Sequence, residues 1–200
     1  MGRFIKHLVN KFTDSNTFIY EPLSIEDSYS KFEGSKLVKF DQRDCHRGYY
    51  QVPKGVTEIG SHAFYGTKNL RFVELGEDVK IINNYAFMRN NLMGISMPGV
   101  EYIGESAFLG CENLEIVGLH PSLKIISRRA FENCTSLNKI TLPQNLKVID
   151  EKAFAGCGNL DKVVINCEHC KTHETAFAGT GVQYAYKKLV KVQKSEQKSV

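Results

Sequence analysis

The sequence predicts a strand-dominated α/β solenoid of about five coils, each 21–23 residues long, stacked into a parallel β-sheet behind a non-repeat N-terminal cap. An Ala-Phe dipeptide recurs at Ala63-Phe64, Ala86-Phe87, Ala107-Phe108, Ala130-Phe131, Ala153-Phe154 and Ala176-Phe177. The spacings are 23, 21, 23, 23 and 23 residues, and four residues before each of the first five alanines stands Ile59, Ile82, Ile103, Ile126 or Ile149. Downstream of each of the first five Ala-Phe pairs comes a Leu-x-x-(Ile/Val)-x-(Leu/Met/Ile) run with the period of a strand. A unit this short cannot bury its own apolar face, so like residues must stack on like, coil upon coil.

Residues 1–51 are expected to cover the open N-terminal end of the stack. Phe4, Ile5, Leu8, Val9 and Phe12 fall at helical spacing with Arg3, Lys6, His7 and Lys11 off the stripe, which predicts an amphipathic capping helix. A membrane-surface helix or a partner-binding helix would use the same stripe. Residues 36–40 and 49–53 read as a strand pair or a degenerate zeroth coil.

Residues 52–182 are the predicted solenoid. Val56, Val79, Val100, Leu123 and Leu146 stand three residues before the isoleucines, and the strands centre on Val73, Ile95, Val117, Ile140 and Val163. Pro98, Pro121 and Pro143 close three strands, because proline has no amide to continue a ladder. Gly66, Gly110 and Gly156 follow Ala-Phe as turn residues. The second repeat lacks one residue between Phe87 and Leu92 and one between Met97 and Val100, which predicts a local irregularity there. A sixth unit keeps Ala176-Phe177 but has His169 and Thr172 at core positions, the mark of a decayed terminal coil. Residues 183–200 form a basic tail with Lys187, Lys188, Lys191, Lys194 and Lys198. With only Tyr184 and Tyr186 beside it, the tail is read as a solvated segment rather than a nucleic-acid or anionic-surface site.

The pattern Val-x-x-Ile-x-x-x-Ala-Phe-x-x-Cys-x-x-Leu-x-x-Val-x-Leu-Pro, spread over residues 52–180, resembles the BspA-like class of leucine-rich repeats. That resemblance implies a leucine-rich-repeat solenoid and a non-enzymatic binding protein, in many members a surface adhesin of bacteria or protists. The N-terminal residues lack the apolar run and cleavage site of a secretory signal, so the expected location is cytoplasmic, with the cell surface as the alternative.

Composition agrees with a folded domain, at 42% hydrophobic, 24% charged and a net charge of +4. No apolar run approaches the roughly 18–20 residues that cross a bilayer. Gly2 is not followed by the Ser or Thr of a myristoylation signal, because Lys6 occupies that place. A nucleophile elbow, a phosphate-cradling glycine loop and a His-Glu-x-x-His helix are all missing, so no catalytic residue and no cofactor is expected. Cys111, Cys134 and Cys157 lie one period apart and predict a buried column of thiols acting as small apolar residues. Cys167, Cys170 and His173 are zinc-ligand types at a workable spacing, but they leave a tetrahedral site one ligand short, so they are read as a polar final turn with zinc as the minor alternative.

Because side chains alternate along a strand, Phe72, Glu74, Ile116, Lys139, Thr141, Lys162 and Val164 are expected on the outer, concave surface of the sheet. Phe72, Ile116 and Val164 are more apolar than a solvated sheet requires and are expected to anchor a protein partner, Phe72 foremost. A second ladder of Ile81, Tyr102, Ile125 and Val148, broken by Glu58, is read as packing. The leading reading is a non-enzymatic protein-binding module, one form of which is an inhibitor that acts by occlusion. A surface or secreted adhesin and a zinc-binding protein are the alternatives, and a protein partner is favoured over nucleic acid or membrane.

Overall fold

A computed structural model describes residues 23–182; residues 1–22 and 183–200, which carry the expected capping helix and basic tail, lie outside the described residues. Each coil has two straight runs, and each run pairs with its equivalent in the next coil, with one exception among the described residues. The runs marked by isoleucine give β4 (Glu58–Ile59), β6 (Ile81–Ile82), β8 (Tyr102–Ile103), β10 (Ile125–Ile126), β12 (Val148–Ile149) and β14 (Lys171–Thr172). They pair in parallel, and β2 (Lys36–Lys39) continues them before turning antiparallel onto β1 (Lys31–Glu33). The Leu-x-x-Val runs give β3 (Tyr49–Gln51), β5 (Phe72–Glu74), β7 (Gly94–Met97), β9 (Ile116–Leu119), β11 (Lys139–Leu142) and β13 (Lys162–Ile165). Among the described residues there is no α-helix, only a short 3-10 turn at Gln42–Asp44.

The core lies between the two runs. Ile59, Ile82, Ile103, Ile126 and Ile149 are buried against a column of phenylalanine rings. From Phe64 to Phe177 successive centroids stand 4.5, 5.0, 4.9, 5.2 and 5.1 Å apart with planes within 8° of parallel. That spacing is the strand spacing of a sheet, about 4.8 Å, so rings and ladders share one repeat along the axis. Phe40 extends the column at 4.8 Å from Phe64, while Leu37 pairs with Ile59 in one sheet and Tyr50 with Val73 in the other. Residues 36–51, expected within the cap, thus add a coil to the stack, and the decayed sixth unit adds another through β14 and Phe177. Before that first coil, buried Asp44 accepts hydrogen bonds from the amides of Tyr29 and Ser30 and the hydroxyls of Ser28 and Ser30, fastening residues 28–30 to it.

Two columns of left-handed backbone turn each coil around its phenylalanine. His62, Tyr85, Ser106, Arg129 and Lys152, each just before Ala-Phe, have φ between 54° and 61°. Two residues after each phenylalanine, Gly66, Gly110, Gly156 and Gly179 take φ of 63–72°, while coil two places Arg89 there and coil four Asn133. Glycine adopts this region freely and arginine does not. The next position holds Thr67, Asn90, Cys111, Cys134, Cys157 and Thr180, and every one donates to a phenylalanine carbonyl. Asn90 reaches Phe64 O at 2.9 Å, and the thiols of Cys111, Cys134 and Cys157 reach Phe87, Phe108 and Phe131 O at 3.0, 3.2 and 3.0 Å. Thr67 and Thr180 close on the carbonyl of their own coil. The cysteines are buried as expected, but as hydrogen-bond donors as well as small apolar groups.

The shortened coil leaves the ladder intact, since β7 pairs in register with both β5 and β9. At the second of its gaps Gly99 packs so closely on Glu77 that a Cβ would overlap the Glu77 carbonyl. The interruption comes one coil later, where β9 is not paired with β11, so that β3-β5-β7-β9 and β11-β13 form separate sheets. Val117 and Leu119 are accordingly half-buried, while Ile95, Met97, Ile140 and Leu142 on either side are fully buried.

Two outcomes follow from these columns. Arg89→Gly raises stability by about 0.5–1 kcal/mol by removing a left-handed arginine, and Gly99→Ala lowers it by about 1–3 kcal/mol through overpacking, both read from urea midpoints. Burial pushes the Cys111 thiol from an ordinary 9.0 up to about 12 and raises the Cys134 thiol in the same direction. A pKa raised on folding stabilises the folded chain below pH 9 and ceases to as pH climbs towards about 12, because only the unfolded chain ionises. Native protein therefore resists a thiol-specific disulfide reagent at these two sites, and its urea midpoint falls between neutral pH and about pH 10 more than that of Cys111→Ala.

Candidate binding face

On the outer side of the longer-stranded runs, two rows cross the molecule. One is Tyr49, Phe72, Gly94 and Ile116, continued at the same repeat position by Lys139 and Lys162. The other is Gln51, Glu74, Ser96 and Gly118, continued by Thr141 and Val164. Their inward neighbours, Val73, Ile95 and Ile140, are core residues, so the alternation expected from the sequence places these rows on one outer face.

Exposure along the rows differs from the expectation at its most prominent member. Phe72 is 4% exposed, not an open anchor. Its ring lies over Gly94 of the next strand, with Cδ1 and Cε1 3.1 and 3.2 Å from where a Gly94 Cβ would stand, and Ile116 Cβ borders the same space. Tyr49, opposite Phe72, is equally buried, and its hydroxyl donates to Glu74 Oε2 at 2.7 Å. Neither ring belongs to the continuous core, so together they form a closed aromatic patch on the outer side. Beyond it the face opens: Ile116 and Val164 are half-buried, and Lys139, Thr141 and Lys162 are exposed. The sequence signal that could have placed Phe72 was the glycine at its own repeat position one coil on.

The second ladder, Ile81, Tyr102, Ile125 and Val148, is half-buried throughout. A feature not anticipated lies at the first left-handed column, where His62 stacks on Tyr85 with centroids 5.1 Å apart and Tyr65 is 48% exposed beside them. Two polar recesses lie along the turns. One of about 710 Å³ is lined by residues including Glu101, Ser122, Lys124, Asn145, Lys147 and His169, and in it a hydrogen bond from the Lys124 ammonium holds the Glu101 carboxyl below its ordinary pKa. The other, of about 680 Å³, is lined by residues including Arg89, Asn91, Asn113, Arg129, Glu132 and Asn133.

Cys167 is buried and Cys170 half-buried, and burial with the adjoining Cys167 thiol pushes Cys170 up to about 12. His173 Nδ1 lies 2.9 Å from Thr175 Oγ1. Among the described residues no group of three or more His, Cys, Asp or Glu side chains is arranged to hold a metal ion, so Cys167, Cys170 and His173 are not brought together as a ligand set. No helix among the described residues is long and apolar enough to cross a membrane.

The coil geometry has clear counterparts. A leucine-rich repeat protein from Bacteroides ovatus is 30% identical, with a TM-score of 0.58 over 66% of this chain and 34% of its own. The pneumococcal vaccine antigen PcpA is 28% identical, with a TM-score of 0.56 over 59% of this chain and 30% of its own. A leucine-rich repeat protein from Eubacterium ventriosum shares the fold at 19% identity, with a TM-score of 0.63 over 80% of this chain and 50% of its own. The chain thus spans a third to a half of the length of these proteins. No curated protein sequence matches it. Six copies of the BspA type leucine-rich repeat region match residues 38–99 and 80–189, which takes in most of the chain. With the ring column, the paired runs and these six copies in one register, the chain belongs to the BspA-type leucine-rich-repeat family.

Proposed function

We propose that the chain is a non-enzymatic protein-binding module whose outer sheet face, at Glu74, Ile116, Lys139, Thr141, Lys162 and Val164, engages a protein partner, with Phe72 packed beneath the edge of that surface. The observation that carries this reading is that the open half of the face is built from side chains the core does not use. Ile116 and Val164 remain half-buried and Lys139, Thr141 and Lys162 exposed, although each sits on a strand whose inward residues pack against the core. A stack of parallel strands holds such side chains on a rigid floor, which lowers the entropy lost on association. Leucine-rich repeats of this family are protein-interaction modules, and a chain that covered another protein's working surface with this face would act as an inhibitor by occlusion.

A cell-surface role as an adhesin has one point in its favour, the similarity of the coils to the pneumococcal vaccine antigen PcpA. Brief protease treatment of intact cells separates the two locations, since a surface protein is trimmed and an internal one is spared.

The binding face is tested by placing large charged side chains on it. Thr141→Arg with Val164→Arg should leave the melting temperature within a few degrees of the wild type, because neither position is buried in the core, and should abolish recovery of a stoichiometric partner in affinity purification from native extract. Retention of the same partner by the double variant places binding elsewhere on the molecule.

A further inference from the structure

Building on the reading of this face as a protein-binding surface, we propose that its open half receives an acidic amphipathic helix from the partner. Lys139 and Lys162 hold carboxylates on successive turns of that helix, and an apolar side chain one turn further on sits against Ile116.

The two lysines are direct partners in the β11–β13 register and both are exposed. Among the described residues neither takes part in an ion pair. Like charges facing each other on adjacent strands repel, so the pairing opposes folding slightly. The repeat does not demand it, because the same position carries Tyr49, Phe72, Gly94 and Ile116 in the preceding coils. Two unneutralised ammonium groups fixed side by side attract a partner with negative charge at a matching interval.

The interval identifies the form of that partner. Adjacent strands lie about 4.8 Å apart, close to the rise of one helical turn, about 5.4 Å. Same-side residues of an extended strand are about 6.6 Å apart and drift out of step with the lysines within two coils. A helix laid along the solenoid axis therefore meets the paired Lys139 and Lys162 with side chains one turn apart, at i+3 and i+7, and its residue i lies toward Ile116 on β9, which packs beside β11. Thr141 beside Lys139 and Gly118 beside Ile116 are small and keep the floor low under such a cylinder. Nucleic acid fits less well, because this half of the face has no exposed aromatic ring on which a base could stack.

The test uses the full chain and three short helical peptides labelled for fluorescence anisotropy. The first carries Leu, Glu and Glu at i, i+3 and i+7, the second has both glutamates replaced by lysine, and the third is a scramble of the first. The acidic peptide should bind more tightly than either control and weaken at high salt. Lys139→Glu with Lys162→Glu should weaken it about tenfold or more and bring the lysine peptide into binding, a reversal that a misfolded variant cannot produce. The proposal is overturned if the acidic peptide fails to bind, binds no better than the controls, ignores the double substitution, or is displaced by a short single-stranded oligonucleotide that binds more tightly. If the acidic peptide fails while Thr141→Arg with Val164→Arg still abolishes capture of the native partner, the face stands and only the acidic helix falls.

Discussion

The column of phenylalanine rings, repeating every 4.5–5.2 Å from Phe40 to Phe177, is the constraint on which the rest of the structure depends. Once the rings adopt the spacing of a β-ladder, every other position must also repeat at that spacing. The alanine before each ring is small because the turn passes directly beside the ring below. Left-handed residues on both sides of Ala-Phe bring the chain around in the few residues available. That tight turn leaves the phenylalanine carbonyls inside the core, where most of them accept the amide three residues on and have a second lone pair to fill. The Thr, Asn and Cys column supplies donors to them, so three residue types that differ in hydropathy perform one task.

A stack of this kind tolerates departures only where another coil can absorb them. The two residues missing from coil two do not break the sheet there, since β7 stays in register with β5 and β9 while Gly99 packs against Glu77 in the shortened turn. Gly94 offers a second case. Without a side chain of its own, it lets Phe72 fold down over the neighbouring strand and closes an aromatic patch that would otherwise face solvent.

Much of this was legible in the sequence because a repeat states its own alignment. The Ala-Phe pairs and the strand leucines identified the Leu-x-x-Val run of each coil, and the segment at 36–53 carried enough of the pattern to suggest a coil, but the isoleucines were legible only as core residues and not as the second, eight-stranded sheet they belong to. The accessibility of Phe72 was not legible from its strand alone, since strand alternation gives the side a residue faces but not whether a neighbour covers it; that depended on Gly94 in the following coil. The donor role of the cysteines became clear only when Thr67, Asn90 and Thr180 were seen in the same column. Cys167, Cys170 and His173 have the residue types and spacing of a zinc site, but converging on a metal requires a local fold that sequence spacing does not specify.

The same reasoning separates the parts of the surface that the fold determines from those it leaves free. On the turn side, left-handed backbone and hydrogen-bonded carbonyls restrict what each position can hold, and residues there recur for reasons of packing. On the outer sheet face the backbone is an ordinary parallel ladder, and any side chain compatible with a strand is admitted. Variation along that face is therefore informative: the change from a closed Tyr49–Phe72 patch, through half-buried Ile116, to a pair of adjacent lysines answers no requirement of the stack and slightly opposes it. A surface that carries a cost the core does not impose is where selection for an external contact is most directly read.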